Sequence, residues 1–170
     1  MRLEDIDQTR CRPEYEASIL ADLKWLGLNW SGPVRRQSEH FDEYARVLDA
    51  LQERGLIYRC FKPRREITAA MPAGVDPDEA AFVSKPLAPD EEAERLARGH
   101  AFAWRLSLRA AETELGARYA SLAFTEETAD GTRSVPANPA AFGDVVLARK
   151  DTPASYHLAC CHDDALQQIT

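Results

Sequence analysis

RLEDID (Arg2–Asp7) and ASYHLACCHDDALQQIT (Ala154–Thr170) stand near opposite ends of the chain, and their reading decides the fold. RLEDID reads as a short strand. Glu4 sits at its carboxyl end, where open α/β sheets receive their ligands in the crevice beyond the strands. In the second segment SYHLACCH reads as another strand, following a turn at Asp151-Thr152-Pro153. Tyr156 there carries a phenol that can donate or accept a hydrogen bond while its ring packs. On spacing alone, Glu4 is a surface carboxylate in an acidic run and Tyr156 a core or edge aromatic.

Between these segments the pattern alternates helix and strand. The polar run DQTRCR leads to a helix with Pro13 in its first turn. Ile19, Leu20, Leu23 and Leu26 recur at helical spacing, which predicts one buried face, and Gly27 ends the helix. Ser38 is placed to cap a second helix, with Phe41, Tyr44, Leu48 and Leu51 three or four residues apart and Gly55 after the last turn. LIYRCF (Leu56–Phe61) then reads as a strand. Strand, helix, helix, strand is the order of an α/β layer.

Composition shifts from Pro63 to Pro89, where Pro72, Pro77 and Pro86 interrupt a stretch made acidic by Asp76, Asp78 and Glu79. The expectation is an inserted or poorly ordered segment. A short helix follows at Asp90–Arg98, between Pro89 and Gly99. AFAWRLSL (Ala101–Leu108) and ARYASLAF (Ala117–Phe124) look like strands that pair as an antiparallel unit. The polar stretch Thr125–Ala140 reads as a separator before the strand in GDVVLARKD (Gly143–Asp151).

A chain of 170 residues with 45% hydrophobic and 29% charged residues has the composition of a soluble globular domain with a core. No window approaches the roughly 18 apolar residues of a membrane span, so a cytoplasmic location is expected and no membrane partner. The net charge of −7 excludes nucleic-acid binding through the overall field, leaving local basic clusters at Arg35-Arg36 and Lys62, Arg64 and Arg65. Four cysteines, at 11, 60, 160 and 161, form no C-x-x-C pair and no disulfide framework. The run Cys160-Cys161-His162-Asp163-Asp164 offers good metal ligands, but alternation along a strand would point them to opposite faces.

Taken with RPEYEASILADLKWLGLNW (Arg12–Trp30), RRQSEHFDEYARVLDALQERGLIYRCF (Arg35–Phe61) and GDVVLARKD, the two end segments resemble class I glutamyl-tRNA synthetases, in the order that family uses. EDID at Glu4–Asp7, RRQSEH at Arg35–His40 and Gln167 are most similar to the short bacterial paralogues that attach glutamate to the queuosine base of tRNA(Asp), the glutamyl-Q tRNA(Asp) synthetases. The resemblance implies an incomplete Rossmann-type nucleotide-binding fold over 1–58 and 143–170. An α+β insertion that contacts the tRNA acceptor end would occupy 59–142.

It further implies that Glu4 and Tyr156 bind glutamate, that Arg64 and Arg65 meet tRNA phosphate, and that ATP is a substrate. No catalytic residue is assigned. The family places a HIGH-type motif before RLEDID and a KMSKS-type loop after DD-x-x-Q-x-I-T, and neither occurs within Met1–Thr170. The chain therefore reads as a central section with impaired activity or none alone. Of the family's zinc ligands Cys60 alone survives, so no zinc is expected. His40, His100 and His157 are expected to be structural, since attack by an ionised carboxylate needs no base. Gln168 stands where the family usually has glycine, a strained choice if φ is positive there. Competing readings are a fragment of an ordinary glutamyl-tRNA synthetase and a non-catalytic remnant that binds tRNA or protein.

Overall fold

The computed structural model describes residues 1–69 and 81–169, and it resolves into two compact units. Met1–Asp49 and Leu147–Thr170 form the first; Ala50–Val146 form the second. Pro72, Asp76, Pro77, Asp78 and Glu79, on which the expectation of a loose acidic insertion rested, lie outside the described residues.

In the first unit β1 (Arg2–Leu3) pairs in parallel with β2 (Arg35–Arg36), Arg2 opposite Arg35 and Leu3 opposite Arg36. The intervening α1 (Pro13–Trp25) starts on its proline and ends at Leu26, with Gly27 at a positive φ of 75°. Its spacing does not produce the expected buried face. No residue of α1 is buried, and Ile19 and Leu26 are exposed. Periodicity sets helicity, whereas burial needs a facing element. A side-chain bond from Arg36 to Glu16 ties α1 to β2.

Ser38 does not cap α2 (Phe41–Glu53) as its sequence position suggests. It lies inside a 3-10 turn, Gln37–Glu39, and both its amide (3.0 Å) and its hydroxyl (2.6 Å) donate to the Asp5 carboxylate. The loop after β1 is thereby fastened to the entry of α2, whose Tyr44 and Leu48 face the core.

The second unit takes in the end of α2, then β3 (Ile57–Cys60), α3 (Arg64–Ala69), α4 (Pro89–Ala97) and β4 (Ala103–Leu106). β3 and β4 pair antiparallel, from Ile57 opposite Leu106 to Cys60 opposite Ala103. The expected pairing of AFAWRLSL with ARYASLAF does not form. After α5 (Leu108–Leu115), Ala117–Ala120 makes a helical turn, α6, and β5 (Ala123–Thr128) pairs with β6 (Gly131–Pro136). The supposed separator is thus a hairpin. Asp130-Gly131 carries the turn chemistry for it, and nearly every residue of the two strands is exposed, Phe124 included.

Asp144, just before β7 (Val146–Arg149), is the buried anchor of this unit. Its carboxylate accepts from Tyr58 hydroxyl (2.9 Å), Ser84 amide (3.1 Å) and Leu108 amide (3.0 Å). Such full satisfaction is what allows a buried carboxylate to persist.

The largest departure from expectation is at SYHLACCH, which is the start of α7 (Tyr156–Gln167) and not a strand. Ser155 caps it, its hydroxyl accepting from Leu158 amide at 3.3 Å. The buried positions Leu158, Ala159, Cys160 and Asp163 follow helical spacing, not alternation. The strand-based reason for dismissing a metal at Cys160–Asp164 therefore fails, and the geometry below replaces it.

Gln168 closes α7 in the left-handed conformation, φ 54° and ψ 42°. Gly143, also at positive φ (65°), sits so near Phe82 that a Cβ would lie 2.5 Å from the Phe82 backbone nitrogen and oxygen. Opposite outcomes are expected on exchange. Gln168→Gly removes Cβ strain and should raise stability by about 1 kcal/mol in urea unfolding. Gly143→Ala adds a clash with backbone and should lower it.

Candidate amino-acid site in the first unit

β1, the Gln37–Glu39 turn and α7 build one polar cluster. Side chains two apart on a strand share a face, so Arg2 and Glu4 lie side by side, Arg2 Nη2 to Glu4 Oε1 at 2.8 Å. The other Arg2 nitrogen donates to Asp164 Oδ1 at 2.6 Å, and the side chain is largely buried. On α7, Tyr156 and Cys160 are one helical turn apart and therefore neighbours. The Cys160 thiol donates to Glu4 Oε1 at 3.4 Å.

Glu4 and Tyr156, far apart in sequence, are thus brought together about Cys160. Both recorded bonds to Glu4 fall on Oε1, and Glu4 and Tyr156 are themselves exposed. An anion with one free oxygen beside a phenol at the end of a parallel strand can receive an ammonium group.

Beneath lies Asp163, with no exposed surface, accepting from Arg35 Nε (2.9 Å), Gln37 Nε2 (3.1 Å) and Tyr44 hydroxyl (2.9 Å). Burial, then the bond to Asp163, push the Tyr44 phenol far above its ordinary range, so it stays a donor. Arg35 is shared with Glu43 (2.6 Å), which also holds His40 Nδ1 at 2.8 Å. Asp163 and Asp164 are therefore engaged by arginines, and among the described residues no three potential ligands gather as a metal site.

Sequence reasoning gave Arg2 and Gln37 no role and weighed Cys160 and Asp163 only as metal ligands. Arg2 was legible as the same-face neighbour of Glu4 on a strand. Cys160 was hidden by the strand reading of α7, which sets Tyr156 and Cys160 on one face but roughly 13 Å apart, whereas a helix makes them neighbours.

The remaining assigned residues belong to the second unit. Arg65 is exposed in the first turn of α3, which Arg64 opens; the Arg64 side chain is outside those described. Cys60 is a free, buried thiol at the end of β3. No helix among the described residues is long and apolar enough to cross a membrane.

Residues 1–170 match the family of tRNA synthetases class I (E and Q), catalytic domain. The chain is 39% identical over 186 residues to the glutamyl-Q tRNA(Asp) synthetase of Rhodobacter capsulatus, covering 100% of this chain and 62% of that protein. It is 34% identical over 173 residues to glutamate–tRNA ligase 2 of Gluconobacter oxydans, covering 100% and 36%. A crystal structure of a glutamate tRNA ligase from Elizabethkingia meningosepticum, in complex with its amino acid, superposes with a TM-score of 0.67 at 24% identity. It covers 99% of this chain and 35% of that one. The fold is accordingly the α/β fold of these structures, and the chain spans less than two thirds of the length of these relatives.

The Arg35 bond, with help from His40, holds Glu43 at about 2, below its ordinary 4.5. Because the folded value is the lower, this stabilisation is complete above about pH 4.5 and is lost as the pH falls toward 2. Glu43→Gln should lower stability at neutral pH and flatten the acid limb, read as urea midpoints across a pH series. An unaltered acid limb would show the pair to be idle.

Proposed function

The chain belongs to the class I tRNA synthetases (E and Q), catalytic domain, and on that premise we propose that it carries the glutamate-binding part of a glutamyl-Q tRNA(Asp) synthetase. The observation that carries the reading is Glu4 at the end of a parallel strand, bonded through the Cys160 thiol to the turn of α7 that also carries Tyr156. The protein of which these residues form the pocket activates glutamate with ATP and passes the acyl group to the queuosine of tRNA(Asp). A glutamyl-Q tRNA(Asp) synthetase at 39% identity across the whole chain favours queuosine over the tRNA(Glu) terminus as acceptor.

The chemistry fits what these side chains can do. The substrate's α-carboxylate attacks the α-phosphorus of ATP, the bond to pyrophosphate breaks, and glutamyl-adenylate forms. The nucleophile is already an anion, so the protein need not remove a proton from it; positioning is the requirement. Glu4 Oε2 receives the substrate ammonium, and the Tyr156 hydroxyl orients the amino acid from the other side. Arg2 holds Glu4 in place. Residues 59–142 supply the contact with the tRNA acceptor end, Arg64 and Arg65 meeting phosphate without reading sequence.

Two measurements test this. L-glutamate should perturb the Tyr156 ring and the Leu3–Asp5 amides in NMR spectra of the chain, and Glu4→Gln should abolish the effect. Silence at saturating glutamate would overturn the assignment. For the nucleic acid, Arg65→Ala should weaken tRNA filter binding uniformly across sequences and reduce the salt slope by about 1; an unchanged slope removes Arg65 from the interface.

A further inference from the structure

Arg2 reaches from the rim of the amino-acid site to the far end of α7. Its guanidinium is largely buried between two half-exposed carboxylates. Nη2 donates to Glu4 Oε1 at 2.8 Å, while Nη1 donates to Asp164 Oδ1 at 2.6 Å and, at 3.4 Å, to Gln167 Oε1. Nε is buried and has no partner among the described residues. Tyr156, Cys160, Asp164 and Gln167 follow one another at three- or four-residue spacing on α7 and so line one face of it. Asp164 lies roughly 12 Å along the helix from Tyr156, and its tie to Glu4 is the shared arginine.

We propose that Asp164 is a positioning residue for the amino-acid site: by taking one arm of Arg2 it keeps the Arg2–Glu4 pair single-pronged, which leaves Glu4 Oε2 and one net negative charge for the ammonium group of an amino acid. The assignment rests on the reading of Glu4 as the ammonium contact.

The physical basis is the way a guanidinium shares its donors. Arginine is always charged, and alone with one carboxylate it favours the two-pronged pair, in which both oxygens are occupied and the charges cancel. Glu4 held in that way would offer an ammonium group neither a free oxygen nor an attraction. A second carboxylate changes both. Two negative charges then face one positive charge, and both Arg2 and the Cys160 thiol fall on Oε1 of Glu4, leaving Oε2 without a bond among the described residues. Gln167 is neutral and shares Nη1 without altering that balance. A neutral side chain at position 164 would release Nη1 to close on Glu4. The site thereby selects by charge, drawing an α-ammonium group and gaining nothing from a hydroxyl in the same place.

The test measures, in the full chain, the affinities of L-glutamate and of L-2-hydroxyglutarate, which carries a hydroxyl in place of the ammonium, from NMR shifts of the Leu3–Asp5 amides. In Asp164→Asn the preference for glutamate over the hydroxy acid should fall on the order of tenfold, and Asp164→Glu should keep it. An unchanged ratio, including equal weakening of both ligands, overturns the proposal, because a merely structural aspartate would act on both alike.

Should Asp164→Asn fail to fold, the Arg2 guanidinium decides in the wild-type chain. Separate NMR signals for Nη1 and Nη2 support two arms held apart, and one averaged signal sinks the division. If the wild-type chain binds neither acid, while the Nη signals stay separate in Asp164→Glu and merge in Asp164→Asn, the glutamate reading fails and the division of Arg2 by Asp164 stands.

Discussion

The first unit depends on one buried carboxylate. Asp163 has no contact with solvent, and a carboxylate in that position survives only if donors replace the water it has lost. Arg35 from β2, Gln37 from the following turn and Tyr44 from α2 provide them. Three consecutive elements are thereby drawn onto α7 by a single side chain. The neighbouring residue, Asp164, extends the arrangement to β1 through Arg2. Two adjacent aspartates on one helix thus fasten both parallel strands, and the rim that holds Glu4 and Tyr156 inherits its geometry from them.

The second unit solves its own version of the same problem. Asp144 is buried and satisfied by one phenol and two backbone amides, so it organises loop backbone where Asp163 gathers side chains. The difference follows from the donors. Arg35 bonds the carboxylate directly in the first unit, whereas in the second the nearby Arg105 donates to the Asp144 backbone carbonyl at 2.5 Å and the carboxylate itself is met by neutral donors. Burial and the Asp144 bond also hold the Tyr58 phenol well above its ordinary range, fixing it as a donor.

Family membership and geometry answer different questions here. The match over residues 1–170 shows what kind of catalytic domain the chain belongs to. It does not say why Glu4 and Tyr156 are held as they are. That comes from Arg2, Cys160 and the buried layer beneath them, where each contact has a distance and a chemical sense. A binding site needs such support because a misplaced carboxylate loses the orientation it is meant to impose.

Local chemistry was enough to determine several elements from sequence: α1 from Pro13 to its glycine end, α4 between Pro89 and Gly99, and the strands around Ile57, Ala103 and Val146. Each is marked by turn residues or β-branched and aromatic runs that act within a few residues. Motif and order singled out Glu4 and Tyr156 as the expected glutamate contacts. Tertiary structure decided that Tyr156–Gln167 is helical, that Ser38 binds Asp5 instead of capping α2, and that α1 has no buried face. It also brought the Cys160 thiol to Glu4. Those outcomes rest on partners 30 to 160 residues away, such as Asp5 for Ser38 and Glu4 for Cys160, and short-range periodicity carries no information about them.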